Sequence, residues 1–316
     1  MKRKTITAIA ATLLSASLFA SCSISYQATF KDYWFSNPNT TPTEVLEELT
    51  YKISYEKGES AETNGYALSY SNGTYTTRLT LNDEGQYVYE TKLTVDVSYM
   101  YGALDPMTKT DTVETRMVFS KNAKLTPISS YKKIVCYSPL GNATSLETCY
   151  NYVDYTVETT YAADLTGGTS KVTNNKTSTP AEYTFELESD YTCLDNEQLL
   201  FALRGLEQTS ASTFYVYSPF AQKVQKVKAT FGTKVEGESF SYQKPNGTDV
   251  EDVGINYYPV TLVLNEKNPG APQTVWIAEM SNAQSNTHRN VILKLSTPLP
   301  YSLGSLTYTL QSATFA

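Results

Sequence analysis

Between Gln86 and Tyr101 every odd position is apolar, aromatic or Thr: Tyr87, Tyr89, Thr91, Leu93, Val95, Val97, Tyr99 and Tyr101. The even positions include Glu90, Lys92, Asp96 and Ser98. Side chains alternate across a strand, so this stretch predicts one long strand with a core face and a wet face. Upstream, Asn72-Gly73 reads as a two-residue type I′ turn that pairs Tyr70 with Tyr75, Leu68 with Thr77 and Tyr66 with Leu79. Asp83-Glu84-Gly85 reads as a three-residue loop with Gly in the left-handed position, pairing Leu81 with Tyr87 and Leu79 with Tyr89. Both turns put the apolar set on the same side, which predicts an antiparallel meander over 64–101.

The same alternation returns at Val113 to Phe119, Val153 to Val157 and Tyr183 to Leu187. It returns again at Val224 to Phe231, Ile255 to Leu264, Gln273 to Met280, Val291 to Leu295 and Leu306 to Leu310. The polar stretches 166–180 and 244–254 read as solvent loops. Two segments carry helical signals instead. Asp195 is an N-cap with Gln198 three residues on, Leu199, Leu200 and Leu203 share one side, and Gly205 ends the run. Thr41-Pro42-Thr43-Glu44 reads as a capping box opening a second short helix with Val45, Leu46 and Leu49. Neither is long enough to be stable alone, so each needs the sheet. The fold class that follows is mainly β: a large curved antiparallel sheet, or an open or partly closed barrel, wrapping one or two short helices.

Residues 195–206, then Phe214 to Ser218, Lys223 to Lys228, Val275 to Ile277, Val291 to Leu295 and Gly304 to Leu310, occur in an order that resembles a family of exported bacterial proteins. That family is known as a domain of unknown function, number thirty-one-oh-eight. Asp195, Arg204, Trp276, Gly304 and Leu310 match its places, and Leu49 to Tyr55 and Lys124 to Pro127 resemble its opening strand and Leu-x-Pro step. The chain departs from it in a longer region near 140–180. The resemblance implies an envelope protein with a large curved antiparallel sheet, and it brings no catalytic residues.

The N-terminus changes the picture more than composition does. Lys2-Arg3-Lys4 precedes an apolar run from Ile6 to Ala20, and Leu18 to Cys22 resembles the lipobox of bacterial lipoproteins. The expected organisation is a signal peptide at 1–21, an anchor-proximal linker at 22–40 and one β domain at 41–316, with two β halves meeting near 190 as the alternative. Cys22, diacylated, is the expected membrane anchor, and two acyl chains suffice for stable attachment. Tyr33-Trp34-Phe35 then rests at the membrane interface or docks on the domain. Removing 1–21 takes away three basic residues and leaves 22 basic against 32 acidic, a net charge of −10. Nucleic acid is therefore an unfavourable partner.

Three cysteines follow the anchor. Cys136 and Cys149 flank a turn-rich stretch and are a candidate disulfide, with Cys193 left over; three reduced thiols are the alternative. Catalytic chemistry finds little to use. His288 is the only histidine, which argues against a zinc site built from several His or Cys and against a His-assisted nucleophile. No nucleophile elbow, phosphate loop, dinucleotide fingerprint or calcium loop is present, and the Ser-x-x-Lys pattern within Ser129 to Lys133 falls on a strand. Glu90, Asp96 and Glu114 alternate to the wet face, and Glu44, Glu47 and Glu48 are expected on one exposed helix side.

The expectation is a non-catalytic extracytoplasmic lipoprotein without cofactors that binds an apolar or amphipathic ligand, or an envelope partner. The alternative is a surface glycan-binding lipoprotein, and behind it a two-carboxylate carbohydrate-active enzyme. The candidate ligand or core face comprises Tyr87, Tyr89, Leu93, Tyr99, Tyr101, Leu199, Leu203 and Trp276.

Overall fold

The computed structural model describes residues 28–30, 45–63, 66–101, 105–139, 145–188, 191–208, 211–243, 249–264, 272–279, 290–299 and 302–315. The first half of the chain supplies β1 (Val45–Lys57), β2 (Glu62–Thr63), β3 (Tyr66–Leu81), β4 (Tyr87–Tyr101), β5 (Met107–Phe119), β6 (Pro127–Pro139), β7 (Tyr150–Tyr161), β8 (Gly167–Asn174) and β9 (Thr179–Glu186). After β10 (Cys193–Asp195), a 3₁₀ turn and α1 (Leu199–Leu203) come β11 (Ala211–Ser218), β12 (Lys223–Phe231) and β13 (Val235–Gln243). The chain continues with β14 (Asp249–Leu264), β15 (Gln273–Ala278), β16 (Ile292–Pro298) and β17 (Gly304–Phe315).

These strands make one sheet. From β9 the ladder runs through β8, β7, β6, β5, β4 and β3 to β1, all antiparallel. It continues through β17, β16, β15, β14, β12 and β11 to β10, the last pair being parallel. β13 runs beside the first part of β14, and β2 beside β3. The sheet is curved and not closed: β9 and β10 do not pair backbone to backbone.

The alternation in β4 holds. Tyr87, Tyr89, Val95, Val97 and Tyr99 are buried, while Glu90, Lys92 and Asp96 lie on the wet side. Gly85 has φ +71, and Leu81 faces Tyr87 and Leu79 faces Tyr89 across the loop it completes. On the outer face a cross-strand row alternates in charge, Glu48, Arg78, Glu90 and Arg116 from β1 to β5, and resumes beyond Tyr131 as Glu158, Lys171 and Glu182. Opposite charges directly across a ladder stabilise it slightly.

Four local expectations give way to strand pairing. Asn72-Gly73 does not turn the chain; Asn72 has φ +50 within a bulge between Ser71 and Thr74, and Tyr70 pairs with Val97 and Tyr75 with Leu93. A hairpin there would forfeit ladders on both edges of β3, where Gly73 faces Ile53 of β1 so closely that a Cβ would stand 2.5 Å from the Ile53 Cβ. The second helix is absent from 45–49, which is the start of β1 with Leu46 and Leu49 buried between β3 and β17; residues 41–44 lie outside the described residues. The expected loop at 166–180 is the β8–β9 hairpin, whose outer strand is wet enough to mimic a loop in composition. Likewise β14 already begins at Asp249, within the expected 244–254 loop.

Candidate functional site

The expected helix forms, and it fills the sheet. Asp195 caps it through Oδ1, which accepts from the Glu197 N–H at 2.8 Å, and the Gln198 side chain accepts from the Asp195 N–H, completing a capping box. Gln198 also donates to the carbonyl of Leu125 at 2.7 Å. Leu199, Phe201, Ala202, Leu203 and Leu206 are buried. The Phe201 ring lies 5.1 Å from Phe119, 5.5 Å from Tyr89 and 5.9 Å from Tyr87. Directly after α1, Arg204 makes a two-pronged ion pair with Glu47 of β1 at 2.5 and 2.7 Å, both side chains at most 3% exposed. Arg204 also donates to the Asn290 carbonyl, and the Asn290 amide returns a bond to the Arg204 carbonyl. Glu47 is therefore a buried charge facing inward and not the solvated helix residue that its neighbours suggest.

The other carboxylate oxygen of Asp195 joins the two ends of the sheet. Oδ2 accepts from Ser130 of β6 at 2.7 Å and from Tyr161 of β7 at 2.6 Å. Alongside, Tyr217 of β11 bonds Ser170 of β8, which bonds Thr159 of β7, each at 3.0 Å. Phe185 of β9 stacks on Tyr217 at 3.7 Å. Ser130, Thr159 and Ser170 occupy one inward-facing cross-strand row. The β10–β11 end thus overlaps the inner face of β6–β8, and side chains form the seam that a closed barrel would make with backbone bonds.

Burial pushes the Asp195 carboxyl up to about 6 from 3.8, with the neighbouring Glu197 adding to it and the bonds from Tyr161, Glu197 N–H and Ser130 opposing it. A carboxyl whose pKa rises on folding stabilises the fold while protonated. Its contribution is complete below about pH 4 and is lost as pH climbs through 6, a change of about 3 kcal/mol. Asp195→Asn keeps the cap and removes the titration, while Asp111, raised to about 6 mainly by its own burial, acts in both forms. We expect the wild-type stability minus that of Asp195→Asn, from urea unfolding, to fall by about 2 kcal/mol between pH 4 and pH 7. A pH-independent difference contradicts this role for Asp195.

Among the described residues little space is left inside. The hollow bounded by Tyr51, Tyr75, Tyr89, Leu200, Leu295 and Tyr308 holds only about 10 Å³, room for one water molecule at most. Two adjoining hollows lie where the seam opens. One of about 250 Å³ is lined by Glu186, Leu187, Glu188, Tyr191, Cys193, Tyr215 and Val224. The other, of about 150 Å³, shares Leu187, Glu188, Tyr191 and Cys193 and adds Lys124, Thr126, Asp164, Leu165 and Thr192. Tyr191 and Tyr215 stand 4.8 Å apart as an aromatic wall, and the acids sit exposed on the rim. A larger hollow of about 370 Å³ lies open on the wet face among threonines, Tyr131 and paired charges such as Lys92–Glu114. The seam cleft combines apolar walls with a few polar groups, the make-up common to small-molecule pockets. Its Cys193 thiol is pushed up to about 12, chiefly by burial, so it is no nucleophile at neutral pH.

The predicted face divides. Tyr87, Tyr89, Leu199 and Leu203 belong to the main core around α1, with Leu93 partly buried against it; Tyr99 belongs to a second core at the opposite end, with Leu68, Val97, Cys149 and Leu303. Tyr101 ends β4 opposite Tyr66, its side chain outside the described part. Trp276 is partly buried beneath Lys294, whose Nζ lies 5.0 Å from the ring centre, and Tyr152 is held between stacked Tyr137 and Lys176. Cys136 and Cys149 are not joined to each other: the β6–β7 register sets Cys136 opposite Val153, and the Cys149 thiol, just before the strand, donates to the Leu146 carbonyl at 2.9 Å. Cys22, Tyr33-Trp34-Phe35 and His288 lie outside the described residues.

No family model matches the chain, and no curated protein does. Among solved structures it is similar to a β-barrel-like protein of domain of unknown function DUF1849 from Brucella abortus, with 9% identity, a TM-score of 0.50, and coverage of 86% of this chain and 98% of that one. At that identity the likeness speaks to the fold alone. It agrees with the curved, barrel-like sheet.

Proposed function

We propose that this is a non-catalytic extracytoplasmic lipoprotein, acylated at Cys22, that binds an amphipathic ligand in the seam cleft. One observation carries the ligand site: the interior is filled by α1, whereas the seam opens into hollows walled by Leu187, Tyr191, Tyr215 and Val224 and rimmed by Glu186 and Glu188. An apolar tail packs against the aromatic wall while its polar end meets the carboxylates and water. The partly buried, protonated thiols of Cys136 and Cys193 and the row of paired charges on the wet face support binding over catalysis. The export signal and Cys22 support the address.

The test uses the fluorescent apolar amine N-phenyl-1-naphthylamine and its displacement by lysophosphatidylethanolamine. Saturable binding of one equivalent is expected, weakened about tenfold by Tyr191→Ala, a loss of about 1.4 kcal/mol. Absence of binding, or binding indifferent to Tyr191 and Tyr215 variants, contradicts the assignment.

A further inference from the structure

The lipoprotein reading has a geometric consequence, on which the following inference rests. Ala28 and Phe30 are buried, and both are stitched to one end of the barrel. The Phe30 N–H donates to the Ala123 carbonyl at 2.8 Å, and the Thr192 hydroxyl donates to the Ala28 carbonyl at 3.0 Å. The Phe30 ring meets Phe214 edge-on at 6.4 Å. Cys22 stands six residues before Ala28. Six residues reach at most about 20 Å even when fully extended. The twelve residues of β7 span about 40 Å along the strand, so the tether is shorter than the barrel is long.

We propose that the barrel end bearing the turns at 82–86, 120–126 and 162–166 rests on the lipid bilayer, with the cleft opening toward it. These turns share one end, because Tyr87 pairs with Phe119 and Ser129 with Thr160 next to them. Lys124, Asp164 and Thr192 line the cleft where it reaches this end. The opposite end carries Lys176, in the turn between β8 and β9. Exposed charges of both signs edge the membrane-facing end, Lys121 and Lys124 beside Asp83, Glu84, Asp164 and Glu188. The covalent tether, not electrostatic attraction, therefore sets the orientation, which makes it insensitive to salt. The cleft then draws its amphipathic ligand from the membrane surface.

The experiment footprints native lysines with a membrane-impermeant acetylating reagent and reads each site by mass spectrometry. Full-length lipoprotein added to vesicles of phosphatidylethanolamine and phosphatidylglycerol is compared with the chain exported without a lipid. Lys121 and Lys124 are expected to lose reactivity several-fold on vesicles, in low or high salt, while Lys176 keeps its rate. Inserting about twenty Gly/Ser residues after Ser23 adds up to about 70 Å of reach and should restore both lysines. The mass of the N-terminal peptide separates the two ways to fail. An unmodified Cys22 overturns the lipoprotein reading and this inference with it. An acylated Cys22 with Lys176 protected as strongly as Lys124, or with neither protected, overturns the orientation alone.

Discussion

Arg204→Ala is expected to destabilise the protein by about 3–5 kcal/mol in urea unfolding, because it strands the Glu47 carboxylate where water cannot reach it. The substitution also removes the donor to the Asn290 carbonyl and leaves a gap behind α1. Glu47→Ala should cost a similar amount by exposing the converse problem, an uncompensated guanidinium. The pair itself is expected to be worth far less than either loss. Desolvating two charges consumes most of their attraction, so Glu47→Leu combined with Arg204→Met should lie much closer to wild type than either alanine variant. If the two alanine effects simply add in the double alanine variant, the side chains are not acting on each other.

Phe201→Ala is the second large effect, about 3–5 kcal/mol. Its ring is fully buried and meets Tyr87, Tyr89 and Phe119, so truncation opens a cavity that three aromatic side chains on two paired strands cannot close. Leu200→Ala on the same helix should cost less, since Leu200 is only partly buried. A Phe201→Ala variant with wild-type stability means that the helix does not hold the sheet. Thermal and urea unfolding of the same samples read both changes.

How far these features were readable in the chain follows from how far apart their partners lie. The β4 face, the Gly85 loop and the Asp195 capping box depend on residues within a few positions of one another, and periodicity or cap spacing exposes them. Asn72-Gly73 carries an equally strong local signal, yet the ladders to β1 and β4 outweigh it. The same competition turns 45–49 into strand. Glu47–Arg204 joins residues 157 apart, Ser130–Asp195 joins residues 65 apart, and Tyr217–Ser170 joins residues 47 apart. No local pattern marks such pairs. An acid beside Glu48 and between Leu46 and Leu49 looks like surface until a partner from the far half of the chain arrives. The cleft is hidden for the same reason, because Tyr191 and Tyr215 are brought together only by the parallel β10–β11 pair.

The central claim is that α1 fills the curved sheet, so that among the described residues the apolar-walled ligand space lies at the seam and not inside. Site-resolved hydrogen exchange on the folded protein tests it most directly. The amides of Leu199 to Leu203 are expected to exchange only through global unfolding, with protection matching that of Tyr87 to Leu93 in β4. Exchange of the helix within seconds while β4 stays protected would mean that the plug swings out and the barrel interior, not the seam, is the binding space.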